Sequence, residues 1–366
     1  MRVLYLVAGA RPNFMKIAPL VRALQENGKP LSFKIVHTGQ HYDRELNDVF
    51  FDELGIPAPD EFLGAGSGSH AQQTAKIMMG FEKCCQKDRP DCVLVVGDVN
   101  STLACSIVAK KLCIPVAHVE AGLRSRDLAM PEEINRIVTD SISDFLFVTE
   151  PSGVKNLLGE GKPAESIHHV GHVMVDNLVH QCSKLAITDT SIFLSAGLKS
   201  RLGSYGVVTL HRASNVDTRE ALERVAEMLR MVADRIPLVF PVHPRTRGNL
   251  DKFGISLGER VVLTGPLPYM DFLNLWKDAK FVLTDSGGLQ EETTALGVPC
   301  ITVRENTERP ITVEEGTNIV AGTDPENVKL EAFKILEGRS KQGRRPPLWD
   351  GRAAERIVAI LGRELV

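Results

Sequence analysis

The chain has 366 residues, of which 43% are hydrophobic and 24% are charged, and its formal net charge at pH 7 is −3. This composition is typical of a globular protein with room for two domains of about 150 to 200 residues each. The small net charge gives no general attraction for nucleic acid or for an anionic membrane. No apolar stretch approaches the ~20 residues of a membrane span, so we expect neither nucleic-acid binding nor membrane insertion.

Cysteine usage and the first residues indicate a cytoplasmic enzyme. The 7 cysteines are an odd number without CxxC spacing, so we expect no disulfide framework and no zinc site, and we interpret them as reduced core residues. The N-terminal segment MRVLYLVAGARPNF carries a short apolar run that is soon followed by Arg11 and Lys16. It predicts a first strand rather than a signal peptide.

Short apolar runs alternate with amphipathic segments, a pattern typical of βα units and a parallel sheet. In the first half the pattern predicts strands near 2–8, 33–38, 92–97, 115–119 and 145–149, and helices near 13–27, 42–53, 70–87, 101–111 and 132–142. We expect the segment 168–180 to carry the chain from one half to the other, and 184–203 to hold one or two helices.

The same alternation starts again in the second half. It predicts strands near 206–210, 237–240, 260–263, 281–284 and 299–303, and helices near 218–234, 269–278, 288–296, 324–337 and 350–363. Two similar α/β halves that face each other make a cleft, and ligands of open α/β sheets bind at the carboxyl ends of the strands. Polar residues that directly follow strands are therefore the candidate site residues.

The first such loop, GARPNFMK, carries Arg11 and Lys16 around a helix start that Pro12 favours. Two cations there can meet a diphosphate, the arginine as a planar fork and the lysine as a point charge. A solvated helix start without a ligand is the alternative.

Two carboxylates follow the next buried strands. Asp98 ends the run VLVVGD, where it either acts in the site or caps the following helix. Glu120 interrupts the end of the apolar run PVAHVE, and His118 lies two residues earlier on the same face. A buried carboxylate is costly unless it is paired or used, so Glu120 is a candidate catalytic residue.

The segment MPEEINR places Pro131 at the first position of a helix, with Glu132 and Glu133 in the first turn. The helix dipole favours acidic residues there in any protein, but Arg136 lies four residues after Glu132 on the same helical face. The first half thus offers Asp98, Glu120 and Glu132 at the ends of adjacent βα units. Carboxylates that lie close together raise one another's pKa, so one of them can carry a proton, and this favours a role in proton transfer.

The second half offers basic groups after its strands. His211 and Arg212 end the run GVVTLHR, and His243 is followed by Arg245 and Arg247 in a second basic loop. A histidine beside an arginine at a strand's carboxyl end is a candidate for anion binding or for acid and base chemistry.

A glycine pair marks the most unusual strand-to-helix turn. In FVLTDSGGLQEE, the strand changes into a helix at Ser286, Gly287 and Gly288. A helix N-terminus attracts phosphate and glycine lets it approach the backbone, although a tight turn with positive φ would also require glycine. Glu292, one helical turn further on, can accept hydrogen bonds from ribose hydroxyls, and Arg309 can add positive charge.

Together these segments resemble the UDP-N-acetylglucosamine 2-epimerase family along nearly the whole chain. The matching motifs are GARPNFMKIAPL, TGQHYD, VVGDVNST, HVEAGLRS, MPEEINR, TLHR, PVHPR, TDSGGLQEE and NTERP. The resemblance implies an α/β fold of two Rossmann-like domains with parallel sheets that face a central cleft, as in B-type (GT-B) glycosyltransferases. It implies an N-terminal domain of residues 1–172 with the catalytic carboxylates, a UDP-binding domain of 173–349, and a C-terminal helix, 350–366, that packs back on the first domain.

The family's chemistry is reversible epimerisation of UDP-GlcNAc to UDP-ManNAc. Loss of the C2 proton and elimination of UDP give 2-acetamidoglucal, and UDP then adds back as the proton arrives on the opposite face. The resemblance assigns catalysis to Asp98, Glu120, Glu132 and His211, and it requires no cofactor, neither a metal nor nicotinamide. It implies a homodimer, and it assigns substrate and UDP contacts to Arg11, Lys16, Arg136, His243, Ser286, Gly287, Gly288, Glu292 and Arg309.

Some segments depart from the family pattern. Ala213, Ser214 and Asn215 stand where many bacterial members have Arg-Glu-Asn, and a second family glutamine after Gln40 is replaced around Asp48. Both segments help to form a regulatory site for a second UDP-GlcNAc in some members, so activation by substrate is not implied here. PVHPRTR also differs from the PVHxNP of better-known bacterial members, which suggests a subgroup with another amino sugar as substrate.

Three other functions stay open at this point. A hydrolysing 2-epimerase would release ManNAc and UDP, and a B-type glycosyltransferase would pass the sugar to an acceptor. A catalytically inactive sensor would be expected to lack one of the four catalytic positions, and all four are present.

Overall fold

The computed structural model describes residues 1–27, 29–39, 51 and 54–365. Most of the helix predicted over 42–53, together with Gln40 and Asp48, lies outside these residues. The chain forms two compact units, one of Met1–Asn177 with Pro347–Val366 and the other of Leu178–Pro346. No helix of the described part has both the length and the apolar character needed to cross a membrane.

The first unit is built on a parallel sheet. Its described strands are β1 (Arg2–Ala8), β2 (Leu31–His37), β3 (Glu61–Phe62), β4 (Cys92–Val96), β5 (Val116–Val119), β6 (Phe145–Val148) and β7 (Ile167–His169). They pair in the order β3-β2-β1-β4-β5-β6-β7. Central strands such as β4 are buried at every position, because helices cover both faces of a parallel sheet.

Helices connect these strands. They are α1 (Arg11–Asn27), α2 (His70–Lys87), α3 (Asn100–Lys111), α4 (Pro131–Ile142), α5 (Pro151–Gly159) and α6 (Val173–Ala186). The last of these carries the chain from the first unit into the second. The strands β3 and β7 were not predicted, because two- and three-residue strands carry no period that a sequence can reveal. The helix α5 was not predicted either.

The second unit contains a second parallel sheet. Its strands are β8 (Gly206–Thr209), β9 (Leu238–Pro241), β10 (Val261–Thr264), β11 (Val282–Thr284), β12 (Cys300–Thr302) and β13 (Asn318–Val320). Among the described residues they pair in the order β10-β9-β8-β11-β12-β13. Both domains are therefore parallel-sheet α/β domains, as the sequence predicts.

The helices of the second unit begin after the crossing helix. They are α7 (Leu194–Leu202), α8 (Ala213–Val216), α9 (Arg219–Ala233), α10 (Pro244–Phe253), α11 (Tyr269–Trp276), α12 (Gly287–Leu296), α13 (Pro310–Glu314) and α14 (Pro325–Leu336). The expectation of a basic loop after His243 is wrong, since α10 begins at Pro244 and contains Arg245 and Arg247. Proline at the first helical position and the His243 ring, which accepts the N–H of Arg245, start this helix.

In both sheets the strand order reverses between the first strand and a later one. The reversal lies between β1 and β4 in the first unit and between β8 and β11 in the second. Open α/β sheets bind ligands in the crevice at such a switch point. The segments that directly follow these four strands contain Arg11, Asp98, His211 and Ser286.

The C-terminal helix α15 (Ala353–Glu364) packs in the core of the first unit through Ala353, Ala354, Ile357, Val358 and Leu361. Asp176 accepts the N–H groups of Ala353 and Ala354 at the start of this helix. A carboxylate at a helix N-terminus satisfies donors that have no partner within the helix.

The cysteines are free, and most of them are core residues. Cys84, Cys85, Cys92, Cys105 and Cys300 are buried. Cys113 is exposed and Cys182 is half-buried, so for these two the expected core location is wrong. Cys113 follows the end of α3 with a positive φ of 54°, a turn that lies at the surface.

Candidate active site

The turn after β1 is closed by the side chain of Asn13. Its Oδ1 accepts the N–H groups of Gly9 and Ala10 at 3.2 and 3.1 Å. Its Nδ2 donates to the carbonyl of Val96, the last residue of β4, at 3.2 Å. The two loops at the switch point are therefore tied together by one buried amide.

Asp98 follows β4 and pairs with an arginine of α4. One oxygen of Asp98 lies 2.5 Å from Nη1 of Arg136, and its carbonyl accepts from Asn135 at 2.8 Å. The helix cap considered for Asp98 is wrong, because Val99 is the N-cap residue of α3 and no side chain caps that helix. The Asp98 carboxylate is instead 30% exposed and held at the carboxyl end of β4.

Glu120 lies just after β5 in a left-handed backbone conformation. Its φ is +70°, which is uncommon for a residue other than glycine and concentrates at functional sites. Its carboxylate, 4% exposed, lies 2.5 Å from Nζ of Lys16. Lys16, expected to contact a diphosphate, therefore faces a carboxylate of its own unit.

Gly97 lies against this ion pair. Its φ is +69°, and a Cβ at this position would lie 2.8 Å from Nζ of Lys16 and 3.7 Å from Oε2 of Glu120. The residue before Asp98 is therefore in contact with the pair formed by Lys16 and Glu120. The pair of Lys16 and Glu120 therefore lies beside the turn that carries Asp98 and its partner Arg136.

The two glutamates at the start of α4 differ in their surroundings. Glu133 is buried and accepts the N–H groups of Ser125 and Arg126, both at 2.9 Å, and two guanidinium N–H groups of Arg136. Burial opposes its charge, but these donors hold the pKa of Glu133 below its usual value. Glu132 is half-buried, and no hydrogen bond or ion pair joins its side chain to another described residue.

In the second unit, Asp285 organises the turn after β8. The carboxylate of Asp285 is fully buried and accepts the N–H groups of His211 and Arg212 at 3.0 and 2.9 Å. It also accepts Nδ2 of Asn215 at 3.0 Å, and it lies 3.0 Å from Nδ1 of His211. The ring of His211 is thereby oriented, with Nε2 on the side away from Asp285, and its side chain is 52% exposed.

The charge of Asp285 is sustained by these donors. Burial alone would raise the pKa of the carboxyl group, but His211, the N–H of Arg212 and Asn215 together hold the pKa of Asp285 below its usual value. The arrangement is that of a carboxylate that fixes an imidazole ring and its tautomer.

The two glycines after β11 do not adopt the positive φ that would by itself require glycine. Neither Gly287 nor Gly288 has a positive φ. A Cβ on Gly288 would meet nothing within 4 Å, and one on Gly287 would approach only Oε2 of Glu308, at 3.9 Å. The described part of the protein therefore does not itself require glycine here, and Ser286, the N-cap residue of α12, makes no side-chain cap to the helix.

Other predicted contact residues lie around this helix. Glu292 is nearly buried and accepts a hydrogen bond from the Tyr269 hydroxyl at 3.1 Å. Arg309 forms an ion pair with Glu291 at 2.5 Å. His243 is exposed at the start of α10, and the side chain of Arg11 lies outside the described part of the molecule.

A model of the UDP-N-acetylglucosamine 2-epimerase family matches residues 22–362. The chain belongs to this family. It is 41% identical over 364 residues to a UDP-N-acetylglucosamine 2-epimerase of Methanococcus maripaludis, which covers 97% of this chain and 97% of that relative. It is also 38% identical over 366 residues to UDP-2,3-diacetamido-2,3-dideoxy-D-glucuronate 2-epimerase of Pseudomonas aeruginosa, covering 99% of this chain and 100% of that relative.

A solved structure of the epimerase family has the same fold. It is the crystal structure of Methanocaldococcus jannaschii UDP-GlcNAc 2-epimerase in complex with UDP-GlcNAc and UDP. That chain is 40% identical, the match covers 99% of this chain and 100% of that one, and the TM-score is 0.83. The family resemblance of the sequence motifs is thereby confirmed.

The candidate residues of each unit have partners that the sequence analysis did not name as site residues. Asp285 orients His211, Glu133 holds Arg136 and Tyr269 holds Glu292. Asp285 could have been predicted as a site residue from the sequence, since it is an acidic residue directly after a buried strand. Tyr269 could not have been predicted, because its partner lies 23 residues further along the chain.

Proposed function

We propose that this chain interconverts UDP-GlcNAc and UDP-ManNAc, and that it does so as a non-hydrolysing 2-epimerase. One observation carries the proposal: the chain matches the UDP-N-acetylglucosamine 2-epimerase family from residue 22 to residue 362. The coarser conclusion, a 2-epimerase that acts on a UDP-linked N-acetylamino sugar, follows from this membership.

The reaction begins with removal of the C2 proton by a carboxylate. The electron pair of the C2–H bond forms a C1=C2 double bond as the C1–O bond breaks, and UDP leaves with that bond's electrons. UDP then adds back to C1 while a carboxylic acid delivers a proton to the other face of C2. Asp98, Glu120 and Glu132 are the proposed proton-transfer groups.

The cluster in the first unit supports this assignment. Asp98 and Glu120 each lie 2.5 Å from a cationic nitrogen, of Arg136 and of Lys16 respectively. These ion pairs fix the two carboxylates in position, and fixed geometry contributes strongly to proton abstraction from carbon. Glu132 has no partner among the described residues, which leaves its carboxylate available to a substrate.

The second unit is the proposed UDP-binding unit. The first N–H groups of α12 have no partners within the helix and favour an anion. The open space at Gly288 permits close approach of a phosphate. His211, oriented by Asp285, is proposed to bind the leaving diphosphate through Nε2, and Glu292 to bind the ribose.

The remaining contacts and the assembly are proposals of the same kind. Arg11, Arg136, His243 and Arg309 are assigned to the substrate by the family resemblance alone. A cytoplasmic homodimer stays a prediction, and light scattering of the purified protein tests its dimeric part.

A second substrate has a specific observation in its favour. The relative from Pseudomonas aeruginosa, 38% identical over 366 residues, is named as an epimerase of UDP-2,3-diacetamido-2,3-dideoxy-D-glucuronate. Epimerisation at C2 of that sugar is the same reaction on a substrate with a second acetamido group and a carboxylate. Both UDP-sugars therefore belong in the assay.

The test is proton NMR of the protein with each UDP-sugar in deuterated water. We expect the C2 epimer to accumulate with deuterium at C2 and with the sugar still bonded to UDP. Free ManNAc and UDP would identify a hydrolysing enzyme instead. Turnover of the diacetamido sugar alone would reassign the substrate, and absence of exchange with both sugars would refute the proposal.

Variants test the residue roles. Asp98→Asn and Glu120→Gln are expected to reduce turnover by about 100-fold or more, which is the scale of general acid and base catalysis, while UDP still binds. Glu292→Gln is expected to weaken UDP binding first. Near-normal turnover of both first-unit variants would contradict the assignment.

A further inference from the structure

Beneath the two catalytic turns of the first unit lies a buried charged network that the reaction scheme does not use. It consists of His118 on β5, Asp140 on α4 and Arg124 in the loop between them. Their side chains are 0%, 1% and 2% exposed. Charged groups are costly to bury unless they are fully hydrogen-bonded, so each of these side chains should have hydrogen-bond partners.

His118 joins Asp140 to the turn that carries Asp98. Its Nδ1 lies 2.6 Å from Oδ1 of Asp140, and its Nε2 lies 2.9 Å from the carbonyl oxygen of Gly97. Both neighbours are oxygen atoms, and the imidazole ring bridges them. Gly97 directly precedes Asp98, and its N–H donates to the carbonyl of Val119 at 3.1 Å.

Asp140 also holds the turn that follows Glu120. Its second oxygen accepts the N–H of Gly122 at 3.0 Å and lies 2.7 Å from Nη1 of Arg124. Gly122 has a φ of +80° and follows Glu120, whose φ is +70°. One buried carboxylate is therefore bonded to the strained turn of Glu120 directly and to the Asp98 turn through the imidazole.

The charge of Asp140 is sustained by its donors. Burial opposes the charge of Asp140, but His118, Arg124 and the N–H of Gly122 hold the pKa of Asp140 below its usual value. Arg124 is bonded in turn to the carboxylate of Glu160 at 2.8 and 2.7 Å. These bonds hold the side chains of the network in place. The bonds from the network to the backbone reach Gly97, beside Asp98, and Gly122, two residues after Glu120.

Resting on the function proposed above, we propose that His118 and Asp140 are positioning residues that set the distance between the carboxylates of Asp98 and Glu120. Neither residue touches the substrate in this scheme. A displacement of about 1 Å at reacting groups can cost roughly 100-fold in rate. The network therefore acts on turnover rather than on UDP binding, which is proposed for the other unit.

Two substitutions at His118 separate its two bonds. The amide nitrogen of Asn stands where Nδ1 was, so His118→Asn keeps the bond to Asp140 and loses the one to Gly97. The amide nitrogen of Gln stands where Nε2 was, so His118→Gln keeps the bond to Gly97. We expect kcat to fall roughly 10- to 100-fold in His118→Asn and less in His118→Gln, with KM and UDP affinity within about twofold of wild type.

A matched control removes a buried hydrogen bond elsewhere in the same unit. The Tyr5 hydroxyl donates to the carbonyl of Asp88 at 2.6 Å, before the start of β4 and away from the turns at its end. Tyr5→Phe is expected to lower the melting temperature and leave kcat unchanged. Asp140→Asn serves as a second variant of the network and is expected to lower kcat like His118→Asn.

The measurements are kcat, KM, the rate of deuterium incorporation at C2, UDP affinity by calorimetry and the melting temperature. Unchanged kcat in the folded His118→Asn and Asp140→Asn variants would overturn the proposal, as would a parallel loss of UDP affinity. Failure of all network variants to fold would also overturn it, because the network would then serve the fold as a whole. Inactivity of the wild type with every UDP-sugar would instead refute the proposed epimerase function.

Discussion

Replacement of Gly288 by alanine separates ligand binding from stability. Gly288 lies in the first turn of α12 with a negative φ, and an added Cβ would meet no atom of the protein within 4 Å. Alanine also restricts the unfolded chain more than glycine does, so we expect Gly288→Ala to stabilise the protein by about 0.4–1 kcal/mol. That gain corresponds to a rise in melting temperature of roughly 1–4 °C.

The same methyl group is expected to weaken UDP binding. If the phosphate approaches the backbone at Gly288, the methyl group occupies that space and disrupts a charge-assisted hydrogen bond. Such a bond is worth about 1.5–3 kcal/mol, which corresponds to a roughly 10- to 150-fold loss of affinity. Calorimetric titration with UDP measures the affinity, and scanning calorimetry without ligand measures the melting temperature.

Gly297 at the other end of α12 provides the control. Its φ is +74° and an added Cβ would also meet nothing within 4 Å. Gly297→Ala is therefore expected to destabilise the protein by about 1–2 kcal/mol, the cost of a left-handed residue with a Cβ, without a change in UDP affinity. Unchanged UDP affinity in Gly288→Ala would refute the inference that a phosphate approaches this turn.

The other predictions concern carboxylates. Asp285→Asn removes the charge that orients His211, and we expect a loss of about 3 kcal/mol in stability from weakened buried hydrogen bonds together with lower kcat. Glu132→Gln should lower kcat with little change in melting temperature, whereas Glu133→Gln should cost about 2–3 kcal/mol of stability because four donors lose a charged acceptor. Burial raises the pKa of Asp176 to about 6, above the ~3.9 of an unfolded aspartate. Its contribution to stability should be complete below pH ~4 and lost as the pH rises through 6, and Asp176→Asn should show no such loss between about pH 4 and 7.

Urea unfolding, melting temperature and steady-state kinetics check these variants. Asp271→Asn is the control for Asp285→Asn, since Asp271 is a buried carboxylate that accepts two N–H groups, of Leu194 and Ser195, in the same unit. It should lose stability and keep kcat. Equal kinetic effects of the two aspartate variants, or similar stability losses in the two glutamate variants, would contradict these assignments.

The sequence predicts the long elements well because their period is local. Strands such as β1 and β4 are continuous apolar runs, and helices such as α2 have polar and apolar faces with boundaries at recognisable caps. The strands it misses are those that depend on pairing. β3 and β7 have two and three residues, and their conformation is fixed by a neighbouring strand rather than by their own composition.

For the candidate site, too, some features can be predicted from the sequence and others cannot. That polar and charged residues follow buried strands is a property of the sequence, and so are the family motifs that these residues form. Which of these residues pair with one another cannot be predicted from the sequence. Arg136 lies on the helical face of Glu132, yet it binds Glu133 and Asp98, because the path of the loop after β5 brings the N–H groups of Ser125 and Arg126 to Glu133.

The sequence by itself determined the two α/β domains, since buried parallel strands need unbroken apolar runs, and it determined which loops carry charge. Only the tertiary structure decided which charges meet. Asp285 acquires its four donors from a segment about 70 residues earlier in the chain. Lys16 reaches Glu120 across 104 residues. Electrostatic contacts act over a few ångströms, and those distances exist only after the strands have paired.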